Sequence, residues 1–140
     1  MLTVETKGSR LTVTINRPEV RNALSDATIR ELKQLFETLP DTVRVVVLTG
    51  AGSAFCAGGD LEWMRRAAGY TQAQNEADAL ELARLFDAIA TCRPFVLARV
   101  NGHAFGGGCG LVAACDAAVA SEKALFSFSE VKLGLIPATI

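Results

Sequence analysis

Two glycine clusters are the places where this sequence could do chemistry. The triplet Gly106-Gly107-Gly108 sits in HAFGGGCGLVAACD, residues 103–116, and Gly58-Gly59-Asp60 closes FCAGGD, residues 55–60. Glycine weakens any regular element it enters, so clusters at the edges of apolar runs need a reason. Each comes shortly after a run that reads as a strand and before one that reads as a helix. That places both at helix N-termini, where backbone N–H groups are unpaired and the dipole is positive. Two such turns can aim N–H donors at one oxygen, and without a Cβ they can approach a developing oxyanion closely. Tight turns and close helix packing use glycine too, so the pair in this order says more than either cluster alone.

A proton carrier would have to accompany such donors. Glu130, in Ser127-Phe128-Ser129-Glu130-Val131, stands in an otherwise apolar stretch, where burial would favour the protonated carboxyl and suit it to hold or deliver a proton. A glutamate favoured by a helix start has the same appearance. The single His103, beside the glycine turn, reads as a packing residue, and Trp63 and Met64 read as packing for a short helix rather than as a pocket lining. Gly50-Ala51-Gly52-Ser53-Ala54-Phe55 begins like a dinucleotide fingerprint but has Phe55 where the third glycine belongs, and no Gly-Lys-Ser/Thr is present for a P-loop. The absence of a Gly-x-Ser-x-Gly elbow, with one His in the chain, weighs against a serine hydrolase.

Composition narrows the classes further. The 140 residues are half apolar and about a fifth charged, with a net charge of −1. That is one globular domain with a sizeable core and no basic footprint for nucleic acid. No apolar run reaches membrane-spanning length. Cys56, Cys92, Cys109 and Cys115 form no Cys-x-x-Cys pair, so no metal site is expected. With no signal-peptide pattern, the simplest expectation is reduced thiols in the cytoplasm.

The elements that must position these residues are legible in outline. Leu2 to Thr6 and Leu11 to Ile15 form a hairpin around Lys7-Gly8-Ser9-Arg10. Ser25 caps a helix with Ile29, Leu32, Leu35/Phe36 and Leu39 on one face, stopping at Pro40. Arg44 to Thr49 has the form of a strand buried on both faces. A short helix begins near Asp60. Thr71-Gln72-Ala73-Gln74 opens a longer one bearing Ala79, Leu82/Ala83, Phe86 and Ile89, ended by Arg93-Pro94. Phe95 to Val100 is a second buried strand, the glycines open a third helix through Ala114, and Asp116 to Ala120 and Leu125 to Phe128 are short strands. A strand-strand-helix grouping recurs loosely. The final stretch, Leu135 to Ile140, is apolar and lacks a helix stop, so the chain reads as cut inside an element.

Asn16-Arg17-Pro18 with Arg21-Asn22-Ala23-Leu24, then Ala54 to Leu61, then Asn101 to Gly108, then Phe126 to Gly134 with Ile136-Pro137, resemble the successive motifs of the crotonase (enoyl-CoA hydratase/isomerase) superfamily. The resemblance runs nearly end to end. It implies an α/β spiral of repeated strand-strand-helix units, here ending before the C-terminal helices that build a homotrimer or a dimer of trimers. It implies an acyl-CoA thioester substrate, with coenzyme A entering as part of that substrate and no separate cofactor. The thioester oxygen would accept N–H bonds from Gly59 and Gly107. Arg21, Ala23 and Ala57 would line the CoA path, Asp60 and Leu61 would flank the thioester, and Ser129, next to the catalytic Glu130, would also bind the substrate or its CoA portion. In two-glutamate hydratases the first glutamate stands two residues after the triplet, and here that position is Gly110.

The resemblance therefore implies hydration of a 2-enoyl-CoA, of a branched or methylglutaconyl type, by one glutamate. A 3-enoyl-CoA to 2-enoyl-CoA isomerase and a non-catalytic acyl-CoA-binding chain are the alternatives.

Overall fold

The computed structural model describes residues 1–137. Strands β1 (Leu2–Lys7) and β2 (Arg10–Ile15) form the expected antiparallel hairpin, with Leu2 opposite Ile15 and Gly8 at φ +59° in the turn. Helix α1 (Asp26–Glu37) is capped by the Ser25 hydroxyl, which accepts from the Thr28 N–H, and buries Ile29, Leu32 and Phe36. Strand β3 (Val45–Gly50) pairs parallel with β2 and has both faces covered, as its unbroken apolar run demands.

Two strands of three residues each have no counterpart in the sequence reading: β4 (Ala54–Cys56) and β6 (His103–Phe105). A run so short carries no measurable period, and both lie in stretches that read as loop before glycine. Between them come α2 (Leu61–Ala67), α3 (Gln72–Thr91) and β5 (Phe95–Val100), and after them α4 (Gly107–Ala114), β7 (Ala117–Ala120) and β8 (Phe126–Ser127). The strands form a five-stranded sheet in the order β1-β2-β3-β5-β7 and a three-stranded sheet in the order β4-β6-β8. The loose repeat now has a physical form. β3-β4, β5-β6 and β7-β8 each send their first strand to the large sheet and their second to the small one, and each pair leads into helical structure.

The core lies between the large sheet and helices α1, α3 and α4, where Ile15, Leu32, Leu48, Leu85, Ile89, Val96 and Leu111 are fully enclosed. Two expectations need correcting here. On α3 the Thr71 and Gln74 capping box forms as read, but the inward stripe runs through Leu82, Leu85, Phe86 and Ile89, while Ala79 and Ala83 face solvent. A leucine gains far more from burial than an alanine, so Leu85 sets the rotation of the helix. β5 is buried on one face only. Val96, Ala98 and Val100 point inward, whereas Phe95 is 50% exposed and Arg99 lies on the outer face. No described element covers the outer side of β5 and β7, where Val119 is also exposed. Among the described residues no helix is long and apolar enough to cross a membrane.

Candidate active site

Parallel pairing of the small sheet brings the three chemical motifs together. β4 pairs with β6 and β6 with β8, all in the same direction, so the segments leaving their C-terminal ends emerge side by side. From β4 comes Ala57-Gly58-Gly59, from β6 comes Gly106-Gly107, and from β8 comes a 3-10 turn, Ser129–Leu133, that carries Glu130. The first two touch: a Cβ on Gly58 would stand 2.9 Å from the Phe105 carbonyl oxygen. The Gly106 N–H donates to the Ser127 carbonyl at 2.9 Å and ties the second to the third.

The N–H groups of Gly59 and Gly107 both remain available. Leu24 forms a parallel bridge with Gly59, accepting from the Asp60 N–H and donating to the Gly58 carbonyl, so the Gly59 N–H points to the other side. Gly107 is the first residue of α4 and has no preceding turn to bond. Among the described residues neither group donates to a protein acceptor.

Glu130 packs on the same turn. Gly106 adopts φ +49°, and a Cβ there would stand 2.7 Å from Glu130 Oε1, so glycine is required for both its conformation and its bareness. The other carboxylate oxygen, Oε2, is buried and accepts no hydrogen bond from any described residue. Buried oxygens without partners are costly, and such an orphan points to a role other than structure.

All of these line one cleft of about 870 Å³. The sequence-predicted Gly59, Asp60, Leu61, Gly107, Ser129 and Glu130 are on its wall, and so are Arg21, Ala23 and Ala57. A second hollow of about 370 Å³, between the C-terminal ends of α1 and α3, includes none of them. Trp63 and Met64, read from the sequence as packing, are also on the cleft wall. The Trp63 indole N–H nevertheless donates to Asp78 at 2.8 Å and anchors α2 to α3.

Asp60 is held by its neighbours. Its Oδ1 accepts from the Glu62 and Trp63 N–H groups and caps α2, and its Oδ2 accepts from Arg17 Nη2 at 2.8 Å. Arg17 also donates to the Ala23 carbonyl at 2.7 Å. Burial pushes the Asp60 carboxyl up, but the Arg17 guanidinium and the two backbone N–H bonds outweigh it and hold it below its ordinary 3.8. The sequence reading passed over Arg17 because its partner lies far along the chain. Asn22 completes the support. It is fully buried, accepts from the Arg17 N–H, donates to the Ala51 and Ala54 carbonyls, and fixes Arg21 and Asn22 at positive φ.

A prediction follows from the Asp60 pairing. Asp60→Asn leaves the Arg17 charge uncompensated and is expected to cost about 3 kcal/mol of stability at neutral pH. Because folding lowers the Asp60 pKa, the stabilisation is complete above the unfolded value and disappears as pH falls through the folded one. Melting temperatures measured across pH should show a gap between the native chain and the variant at pH 7 that closes below about pH 4.

The remaining candidates take no part in the cleft. His103 lies on β6 with its ring stacked on Phe105, centroids 5.4 Å apart, and does not itself line the cleft; its Nδ1, like Glu130 Oε2, is buried with no described hydrogen-bond partner. Burial pushes the Cys56 and Cys115 thiols up to about 12, so both stay protonated and unreactive. Gly110 has no side chain to offer, and a Cβ there would meet the Phe86 ring at 2.6 Å. Among the described residues no group of three His, Cys, Asp or Glu is placed to hold a metal ion.

Known proteins resemble this chain in sequence and fold. The sequence pattern of the family described as Enoyl-CoA hydratase/isomerase matches residues 5–140. The enoyl-CoA hydratase AKT6-1 of Alternaria alternata is 44% identical over 130 residues, covering 91% of this chain and 42% of that protein. The mitochondrial 3-hydroxyisobutyryl-CoA hydrolase of Rattus norvegicus is 36% identical, covering 96% of this chain and 36% of its own. The crystal structure of an enoyl-CoA hydratase from Shewanella pealeana superposes with a TM-score of 0.94 at 38% identity, covering 99% of this chain and 53% of that one. The chain thus spans about half the length, or less, of these relatives. With a family pattern that matches residues 5–140 and a fold that superposes on a solved enoyl-CoA hydratase along almost the whole of this chain, this chain belongs to the enoyl-CoA hydratase/isomerase family.

Proposed function

We propose that the protein to which this chain belongs is an enoyl-CoA hydratase, adding water to a 2-enoyl-CoA with Glu130 as its one catalytic carboxylate. The observation that carries this reading is the buried, unpartnered Oε2 of Glu130, packed on the same glycine turn that frees the Gly107 N–H. The thioester oxygen would sit between the Gly59 and Gly107 N–H groups. As water adds at the β carbon, negative charge moves onto that oxygen, and each donor would stabilise it by ~3 kcal/mol. Glu130 would take the proton from the attacking water and return one to the α carbon. The Arg17, Arg21 and Ala23 side of the cleft would receive the CoA portion. The apolar side formed by Trp63, Met64 and Leu82 would receive the acyl group, and a branched or methylglutaconyl-type acyl is the finer reading.

One observation favours a second reading. With Gly110 in place of an acid and Phe86 lying over it, the site has the single base that suffices to move a double bond from the 3- to the 2-position. Ultraviolet absorbance of the conjugated enoyl thioester separates the two, using the protein at its full natural length. A hydratase bleaches the band of a 2-enoyl-CoA and leaves a 3-enoyl-CoA unchanged. A band that grows from the 3-enoyl-CoA, with no bleaching of the 2-enoyl-CoA, would assign the isomerase.

A further inference from the structure

We infer that Arg17 is a positioning residue for the reaction, aligning and polarising the Gly59 N–H through two peptide units in series. The inference rests on the acyl-CoA reading above, in which that N–H binds the thioester oxygen. Arg17 Nη1 donates to the Ala23 carbonyl at 2.7 Å. The same peptide unit carries the Leu24 N–H, which donates to the Gly58 carbonyl at 2.7 Å. That second peptide unit carries the Gly59 N–H. A trans peptide is planar and sets its C=O and N–H on opposite sides, so a guanidinium behind the first unit fixes the direction of both N–H groups in turn. The Arg17 backbone is held to the same segment, its N–H donating to the buried Asn22 side chain at 2.9 Å.

Hydrogen bonds in series polarise one another, most strongly away from water, and a charged first donor strengthens the effect. Ala23, Leu24 and Gly58 are all buried. The two oxyanion donors differ in what stands behind them. Gly107 opens α4 and has the positive end of that helix at its back, whereas Gly59 is followed directly by the Asp60 carboxylate that caps α2. A negative charge one residue away opposes charge developing on the thioester oxygen. Arg17 answers this with its other prong, Nη2 donating to Asp60 Oδ2 at 2.8 Å. Both terminal nitrogens are thus engaged by the protein, and the side chain is only 17% exposed.

The test reads the carbonyl itself. A saturated hexanoyl-CoA labelled with carbon-13 at the thioester carbonyl is bound to the full-length protein, and its C=O stretch is recorded by infrared difference spectroscopy. Bound to the native protein, the band should lie below its position in water, because donors aimed at the oxygen weaken the C=O bond. Arg17→Met should move the band back toward its position in water. In hydration of a 2-enoyl-CoA the same variant should lose about tenfold in kcat, less than the ~10²–10³-fold of a deleted donor. KM should change by less than about twofold, the split of a group that acts in the transition state. Arg17→Lys keeps the charge without the two-pronged geometry and should shift the band partway, which keeps the test decisive should Arg17→Met fold poorly. Leu32→Ala, a core change in α1, should lower the melting temperature and leave the band in place; an equal band shift there overturns the inference in favour of general loosening. A band at the native position in both Arg17 variants, with KM raised instead, makes Arg17 a substrate-binding cation and overturns the inference while the hydratase reading stands. A native protein that binds the thioester without lowering its band overturns both.

Discussion

Replacing Glu130 by Gln is expected to lower kcat/KM for hydration of a 2-enoyl-CoA by ~10³-fold, the middle of the range for removing a positioned acid or base. The size of the effect follows from the absence of a substitute. The other carboxylates on the cleft wall are Asp60, bound to Arg17 and to the first turn of α2, and Glu19 and Glu62, both exposed. Gly110, where two-glutamate hydratases would carry a second acid, has nothing to offer. The stability of the variant should move the other way. Glu130 Oε2 accepts no bond from a described residue, and the amide of Gln in its place removes the negative charge from that buried position, which lowers the desolvation cost. The melting temperature should hold or rise by a few degrees while activity collapses, the pattern of a residue kept for function at the expense of stability. Steady-state kinetics and a thermal melt of the same preparation test both halves.

Gly106→Ala is expected to be the next most damaging change, through two separate causes. The residue holds φ +49° and ψ −121°, which a Cβ makes strained by ~1–3 kcal/mol. The added Cβ would also lie 2.7 Å from Glu130 Oε1 and 3.3 Å from its Cδ, so the carboxylate must move. A catalytic group misplaced by about 1 Å costs ~10²-fold in rate. Gly106→Ala should therefore lose activity and stability together, in contrast to Glu130→Gln, which loses activity alone. Kinetics and melting of the two variants side by side distinguish a displaced carboxylate from a deleted one.

These residues also show where sequence reasoning succeeds and where it stops. α1, β3 and the capped start of α3 were legible because each carries a local signal: a serine cap, a β-branched run, a threonine paired with a glutamine three residues on. β4 and β6 were invisible because three residues hold no period, yet it is their parallel pairing that sets the two glycine turns side by side. The candidate residues converge on one cleft, with both glycine turns recognisable from residue type alone. The ion pair of Arg17 escaped because its meaning depends on a partner distant in the chain, Asp60. The exposure of Phe95 and Val119 was hidden for the same reason, since a parallel strand reads as buried whether or not an element arrives to cover its second face.

The most direct test of the single-carboxylate hydratase is mass spectrometry of the product formed from a 2-enoyl-CoA in oxygen-18 water, with the full-length protein and its Glu130→Gln variant. The account predicts one oxygen-18 atom in each 3-hydroxyacyl-CoA formed by the native protein, and almost none formed by the variant in the same time. Label incorporation that persists undiminished in Glu130→Gln, or a native protein that adds no label while converting a 3-enoyl-CoA to its conjugated isomer, would contradict it.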